Sequence, residues 1–381
     1  MNRSRLHLNG LTGLRFIAAM AIFVLHARNH DLIPDFILST FDLSKSVSLF
    51  FVLSGFVISY AYSHRSPSFV GFIRARLARI WPAAVLSILL VIFLLPRTLY
   101  LPAPDSGWST FSILLISLLG LQAWIPIPAF YFSFNAVLWS ISVELFFYIC
   151  FPFLRKFSVV RLLAIFALLF ISILSIASFL AYFESLSYGV NVHNNFVWQG
   201  LIYINPISRL PEFVLGIIGC RIVYSNSFSK LYGIYNRKSS YHLKMLSKAS
   251  STVSTILFIY LIFHGYDWGA TVPVQLVLNR MLSSMCCILL ITGLVASQGL
   301  LVQFLERPFM AALGQASYGM YLYHQPLMIR AAQAGGIKFA GIQILPSDFT
   351  AVLVWTLILS FVSYRFFEEP LNTFFRTNYQ G

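Results

Sequence analysis

Apolar residues run along this chain in long blocks, each separated from the next by a short polar or proline-containing segment. A transmembrane helix needs about 20 mostly apolar residues to cross roughly 30 Å of hydrocarbon. Ten blocks come close to this length: 11–28, 45–62, 78–97, 136–154, 159–182, 203–223, 251–266, 275–297, 315–333 and 349–368. The pattern predicts an all-α fold, a polytopic membrane helix bundle with about ten transmembrane helices.

An eleventh apolar block, residues 111–124, is shorter and has prolines on both sides. Basic residues help to decide whether it crosses, because cytoplasmic loops collect Lys and Arg. If this block does not cross, the main basic clusters all fall on one side of the bilayer. We therefore expect both termini to be cytoplasmic, residues 225–250 to form a cytoplasmic linker, and residues 98–135 to form an external loop with a re-entrant or interfacial helix.

Composition agrees with a membrane protein, since 58% of residues are hydrophobic and only 10% are charged, against about 25% charged residues in soluble domains. The net charge of +14 would suggest nucleic acid in a soluble protein, but here the positive-inside rule accounts for it, and no nucleic-acid partner is expected. The four cysteines lack the spacing of a zinc or disulfide framework, and no metal is expected. Residues 1–381 are interpreted as one integral-membrane domain.

Ionisable side chains within the apolar blocks are functional candidates, because each charged group costs about 2.5–3.5 kcal/mol on insertion. They are Arg15, His26, Glu144, Arg209, Glu212, Arg221 and His324. Arg15 and His26 are eleven residues apart, which places them within about 20° of one helix face and about 16 Å apart. An imidazole there can exchange protons with a hydroxyl near neutral pH. The alternative is a structural histidine bonded to a backbone carbonyl.

Two further features extend this set. Arg76 and Arg79 share a face at the predicted cytoplasmic start of the third helix, where two guanidinium groups suit a phosphate-bearing ligand. Plain anchoring by the positive-inside rule also explains them. Glu144 needs a cationic or hydrogen-bonding partner within the membrane, for which His26 is the attractive choice. Alternatively, Glu144 only holds helices together through an ion pair with Arg15 or Arg209.

These segments, in this order, resemble the acyltransferase 3 family of membrane acyltransferases, whose members typically modify bacterial cell-surface glycans. The resemblance rests on Arg15 and His26 with ten residues between them, on the Phe-Phe segment 48–56, on Arg76 and Arg79 before Ile80 and Pro82, and on Trp139-Ser140 followed by Glu144. Weaker matches continue through 209–216, 317–326 and 368–370. The similarity covers nearly the whole chain.

The resemblance implies a donor, acyl-CoA and most often acetyl-CoA, supplied from the cytoplasm, and an acceptor hydroxyl on an exported or lipid-linked glycan. Arg76 and Arg79 would hold the coenzyme A phosphates. His26 would act as general base or carry the acyl group, with Arg15 and Glu144 fixing its charge state and position. The protein would lie in the lipid bilayer of the bacterial inner membrane. Two other classes stay open: a transporter or flippase for a lipid-linked sugar or acyl group, and a membrane scaffold.

Overall fold

The structure is a computed structural model that describes residues 8–34, 42–63, 65, 67–101, 108–182, 197–225, 271–296, 300–334, 337–339, 342–345 and 348–377. Its helices are α1 (Leu8–Asn29), α2 (Ser46–Ala61), α3 (Phe69–Leu94), α4 (Arg97–Tyr100), α5 (Thr110–Leu118), α6 (Pro128–Tyr131), α7 (Trp139–Leu154), α8 (Val159–Tyr182), α9 (Pro206–Val223), α10 (Val272–Ala296), α11 (Leu300–Leu305), α12 (Pro308–Ala334), α13 (Phe349–Ser363) and α14 (Glu369–Thr377). The short strands β1 (Ile337–Phe339) and β2 (Ile342–Leu345) pair antiparallel after α12.

Eight helical segments in the described ranges are long and apolar enough to cross a membrane, which confirms the predicted helical membrane bundle. The predicted span 315–333 lies within α12, but α12 is not among the eight. It carries His324, Gln325 and Arg330 among its apolar residues. The predicted span 251–266 and most of the linker 225–250 lie outside the described residues. The count of ten helices therefore stays a prediction.

Helix α3 begins at Phe69, nine residues before the predicted start. Ser68 caps it, since its hydroxyl oxygen accepts a 3.1 Å hydrogen bond from the backbone N–H of Gly71. Such a cap satisfies one of the free N–H groups of the first turn. Arg76 and Arg79 consequently lie two to three turns inside the helix, where they face neighbouring helices instead of marking its first residue.

Between α3 and α7, the described residues 95–101 and 108–138 contain no helix long enough to cross. Helix α5 has nine residues, which corresponds to about 14 Å at 1.5 Å per residue. It ends at Leu118, and Gly120 follows with a φ of +67°, a conformation that glycine adopts more readily than other residues. Gln122 and Ser142 then tie the segment to α7 by hydrogen bonds to the carbonyls of Leu138 and Gly120. The placement of 98–135 outside the membrane stays a prediction.

Helices α2 and α9 pack against each other, and glycine allows their close approach. A Cβ on Gly55 would clash with the backbone carbonyl of Phe213, and a Cβ on Gly216 would clash with that of Val52. Small residues commonly permit such backbone contact between membrane helices. Helix α1 packs against α12 in a similar way, with Gly314 against the backbone of Thr12. These two contacts fix the helices that carry most of the polar side chains described below.

The basic ends of three helices meet. One nitrogen of the Arg155 guanidinium donates to the carbonyls of Tyr62 at 3.1 Å and Arg65 at 2.7 Å. Arg221 donates in turn to the carbonyl of Arg155 at 2.5 Å. Cations beside helix C-termini satisfy free carbonyl groups and interact favourably with the helix dipole. This end of the bundle is the one that the positive-inside rule assigns to the cytoplasm.

Candidate active site

A cavity with an empty volume of about 750 Å³, including its open mouth, lies among the helices. Four of the five predicted site residues line it: Arg15 from α1, Arg76 and Arg79 from α3, and Glu144 from α7. Its apolar walls include Phe50 and Phe51 of α2, and its polar wall includes Ser140, Tyr148, Tyr318 and Tyr321. Side chains from five helices, between Arg15 and Tyr321 in the sequence, thus converge on one volume.

The charge of this cavity is unbalanced. Three guanidinium groups face one carboxylate among its described lining residues. Arg76 donates to the hydroxyl of Tyr62 at 3.1 Å, and its Nε is buried with no hydrogen-bond partner in the described part of the chain. Arg15 lies close enough to Arg79 for repulsion and to Glu144 for attraction. A cluster of three half-buried cations, one of which has an unused donor, favours an anionic ligand.

Glu144 is held by hydroxyl groups. Its Oε1 accepts hydrogen bonds from Tyr148 at 2.6 Å and from Ser54 at 3.2 Å. The predicted pairing of Glu144 with His26 is wrong, because His26 contacts a different side chain. The predicted alternative with Arg209 is also wrong, because Arg209 pairs with Glu212 at 2.9 Å. The sequence of one helix shows which of its residues share a face. It does not show which other helix packs against that face.

A second cavity, with an empty volume of about 780 Å³, shares Arg15, Arg79, Ser317 and Tyr318 with the first. Its remaining walls come from the beginnings of α1 and α12 and from the C-terminal segment: Thr12, Gly314, Gln315, Tyr364, Glu368, Glu369 and Asn372. The two arginines therefore stand at a boundary between the volumes. The second cavity lies toward the predicted cytoplasmic end of the bundle.

His26 does not line either cavity. Its Nδ1 lies 2.7 Å from Nε2 of His324 on α12, and the two rings stack with centroids 5.0 Å apart. His324 is 1% exposed, whereas His26 is partly exposed. Tyr321 connects this pair to the first cavity, since it lines that cavity and its ring centroid is 6.0 Å from that of His324. The histidine pair thus lies behind the wall formed by Tyr321.

Sequence reasoning missed Arg280, Tyr148 and Ser54. Arg280 is 4% exposed on α10 and lies 3.6 Å from Glu212; it stands in an apolar block, so the rule that selected Arg209 would have found it. Tyr148 and Ser54 carry no such signal, because polar hydroxyls are common in membrane helices. Among the described residues, no group of three or more His, Cys, Asp or Glu side chains is placed to hold a metal ion.

Known acyltransferases are similar to this chain in sequence. A family model described as an acyltransferase domain matches residues 8–365. The acyltransferase MdmB of Streptomyces mycarofaciens is 33% identical over 225 residues, covering 55% of this chain and 56% of that protein. The O-acetyltransferase OatA of Staphylococcus aureus (strain NCTC 8325 / PS 47) is 23% identical over 383 residues, covering 96% of this chain and 57% of that protein.

The chain spans little more than half the length of these two relatives. No solved structure matches it. The family match, however, includes every helix that lines the first cavity and all five predicted site residues. The chain therefore belongs to the acyltransferase 3 family of membrane-bound acyltransferases.

Proposed function

We propose that this protein transfers an acyl group, most often acetyl, from cytoplasmic acyl-CoA to a hydroxyl of an exported or lipid-linked glycan. The observation that carries the proposal is the cavity in which Arg15, Arg76 and Arg79 face Glu144 inside the helix bundle. A cationic volume enclosed by apolar helices suits a ligand with phosphate groups at one end and an apolar arm at the other.

The phosphate end of the donor belongs with the arginines. A guanidinium group offers two parallel N–H donors to phosphate oxygens, and charge-assisted hydrogen bonds of this kind are about twice as strong as neutral ones. The second cavity, which shares Arg15 and Arg79, provides room for the nucleotide portion at the predicted cytoplasmic end. Polar groups there, among them Gln315 and Asn372, are suited to hydrogen bonding with a base or ribose.

The acyl end then extends along the apolar wall formed by Phe50 and Phe51 toward Ser140 and Tyr321. Beyond Tyr321 lies the pair of His26 and His324. For the reaction, the acyl carbonyl must pass the ring of Tyr321 and reach the acceptor hydroxyl that is bound beside His26. The Tyr321 hydroxyl makes a 2.8 Å hydrogen bond with Ser140 and donates to the carbonyl of Val137 at 3.4 Å, so the step requires that Tyr321 exchange these two bonds.

In the chemical step, His26 removes the proton of the acceptor hydroxyl while the hydroxyl oxygen attacks the acyl carbonyl carbon. The carbon–sulfur bond of the thioester breaks, and the thiolate leaves with the electron pair. The proton held by His26 then passes to that thiolate. A positioned general base contributes about 10²–10⁴-fold to such a rate. The similarity to OatA, an O-acetyltransferase, supports a hydroxyl acceptor and an acetyl group.

Donor binding can be tested directly on purified protein in lipid nanodiscs. We expect Arg76→Gln and Arg79→Gln to weaken coenzyme A binding, measured by calorimetry, by about tenfold each, which corresponds to about 1.4 kcal/mol per charge-assisted contact. Arg74→Gln is the matched control, because Arg74 is exposed on the same helix and does not line the cavity. Equal losses in all three variants would contradict a phosphate site in the cavity.

Activity is tested by the acetyl content of surface glycan, measured by NMR, in cells that carry the wild-type protein, His26→Ala, or no copy. Membrane levels of the protein are checked by blotting. Acetylation only with the wild type, at equal protein levels, supports acyl transfer through His26. Movement of a lipid-linked sugar by the purified protein without consumption of acyl-CoA would instead identify a transporter or flippase.

A further inference from the structure

Hydrogen bonds link the two histidines to each other and His324 to the backbone, in addition to the contact between the two rings. Nδ1 of His26 lies 2.7 Å from Nε2 of His324, and Nδ1 of His324 lies 3.0 Å from the backbone carbonyl oxygen of Met320. These three groups form a chain of two hydrogen bonds that begins at a carbonyl. A carbonyl oxygen only accepts hydrogen bonds, and this restriction fixes the direction of the whole chain.

The Met320 carbonyl determines which ring nitrogens carry protons. Because the Met320 carbonyl accepts, Nδ1 of His324 carries a proton. A neutral imidazole has one proton, so Nε2 of His324 then has a lone pair and accepts from its neighbour. Nδ1 of His26 must therefore carry a proton and donate it. The second nitrogen of His26, Nε2, is left unprotonated.

The opposite direction requires a doubly protonated His324. That imidazolium would be 1% exposed among apolar residues such as Met320 and Leu327, and the neighbouring titratable groups, His26 and His30, carry no negative charge that would neutralise it. Burying an unpaired ionised group costs several kcal/mol. The neighbouring His30 is occupied by the amide of Gln325 at 3.4 Å. The neutral form of His324 is therefore the one that fits its surroundings.

We infer that His324 is a positioning residue that holds His26 in the tautomer with a free Nε2, the nitrogen that serves as general base. This inference rests on the proposed function for the role of that base. The hydrogen bond of a second group commonly sets the tautomer of a reacting histidine. Here the second group is a neutral imidazole instead of a carboxylate, and its own orientation comes from a helix carbonyl one turn earlier.

The two histidine rings differ in burial, as these different roles require. His324 is fully enclosed, whereas His26 is partly exposed. In the part of the chain that the structure describes, no hydrogen-bond partner occupies Nε2 of His26. An acceptor hydroxyl is the group that would take that place.

The activity test compares two replacements of His324. His324→Phe keeps the ring shape but removes both nitrogens, whereas His324→Gln places an amide oxygen where Nε2 accepts the hydrogen bond. We expect kcat to fall about 30-fold or more in His324→Phe and to stay within about fivefold of wild type in His324→Gln, with the KM for acyl-CoA unchanged in both. A packing role predicts the reverse order, because Phe preserves the ring volume better than Gln.

Tyr323→Phe provides the matched control. Tyr323 is the adjacent buried residue of α12, and its hydroxyl makes a 2.6 Å hydrogen bond with Ser363. The variant removes one buried hydrogen bond from the same helix without affecting the histidine pair, so its kcat should stay near that of wild type. A loss of kcat in Tyr323→Phe equal to that in His324→Phe would overturn the inference.

A spectroscopic measurement separates this inference from the proposed function. Solid-state ¹⁵N NMR of histidine-labelled protein in lipid distinguishes protonated from unprotonated ring nitrogens, and the signals absent in His26→Gln identify His26. We expect a protonated Nδ1 and an unprotonated Nε2 in the wild type. The reverse pattern would overturn the inference. If this tautomer is seen but His26→Ala retains full acyl transfer, the proposed role of His26 fails while the hydrogen-bond direction stands.

Discussion

Tyr148 donates a 2.6 Å hydrogen bond to the carboxylate of Glu144, one turn earlier on α7. Ser54 of α2 donates to the same oxygen at 3.2 Å. The only carboxylate among the described residues that line the first cavity is thus oriented by hydroxyls from two helices, in the neighbourhood of Arg15. Its position depends on helix packing as well as on charge.

We expect Tyr148→Phe to lower kcat about tenfold, because the Glu144 carboxylate loses a charge-assisted hydrogen bond that contributes about 1.5–3 kcal/mol. Acetyl transfer to glycan by purified protein measures the effect. A double-mutant cycle with Glu144→Gln provides the control. If Tyr148 acts through Glu144, the second substitution adds little to the first. Strictly additive losses would contradict this coupling.

A different outcome is expected for donor affinity. Glu144→Gln removes the one negative charge facing Arg15, Arg76 and Arg79, so an anionic donor meets a stronger positive potential. We expect coenzyme A to bind about threefold tighter or more while kcat falls. Calorimetry on the purified variant measures the affinity. Ser54→Ala is the comparison, since it removes a hydrogen bond to the carboxylate but leaves the charge, and its affinity should not change.

Helices that face lipid were predictable from the sequence, because contact with lipid requires a nearly continuous run of apolar residues. The predicted span 159–182 coincides with α8, a helix with few buried residues whose surface is apolar almost throughout. The start of α3 was not predictable in the same way. Its first turns carry Arg74, Arg76 and Arg79, and a search for apolar blocks begins only after them, although Ser68 supplies a capping signal.

The candidate site was also predictable only in part. Arg15, Arg76, Arg79 and Glu144 stand out as charged groups in or beside apolar blocks, and the structure places all four around one cavity. Their partners did not follow from the sequence. His26 contacts His324, 298 residues away, and no periodicity along α1 shows that α12 packs beside it. Contacts between distant helices depend on side-chain packing that a single sequence pattern does not describe.

The contact between α2 and α9 gives a prediction on stability. Gly55→Ala places a methyl group against the carbonyl of Phe213, and overpacking of this kind costs typically 1–3 kcal/mol. We expect a lower midpoint of thermal unfolding in detergent, with Gly216→Ala behaving likewise. Gly10→Ala is the control, because a Cβ there meets its nearest atom at 3.7 Å, an ordinary contact. A fall of the same size in Gly10→Ala would contradict the explanation by close packing.

The buried cluster of Arg209, Glu212 and Arg280 predicts which of two substitutions, at Glu212 or at Arg280, lowers the stability of the protein more. Glu212 is 0% exposed and accepts hydrogen bonds from Arg209 and Ser48, both at 2.9 Å, with Arg280 at 3.6 Å. Two cations thus share one carboxylate. Removing the carboxylate leaves two buried, mutually repelling cations, whereas removing Arg280 leaves a neutral pair.

We therefore expect Glu212→Gln to lower the free energy of unfolding by about 3–5 kcal/mol, the usual loss when one partner of a buried ion pair is removed. Arg280→Met should cost less, although it gives up hydrogen bonds to the carbonyls of Ser208 and Ile202. Glu369→Gln is the exposed control: its partner Arg365 is 72% exposed, and such pairs contribute about 0–1 kcal/mol. The free energy of unfolding of each purified variant is measured in detergent. A greater loss of stability in Arg280→Met than in Glu212→Gln would show that the hydrogen bonds from Arg280 to the carbonyls contribute more than the neutralisation of its charge.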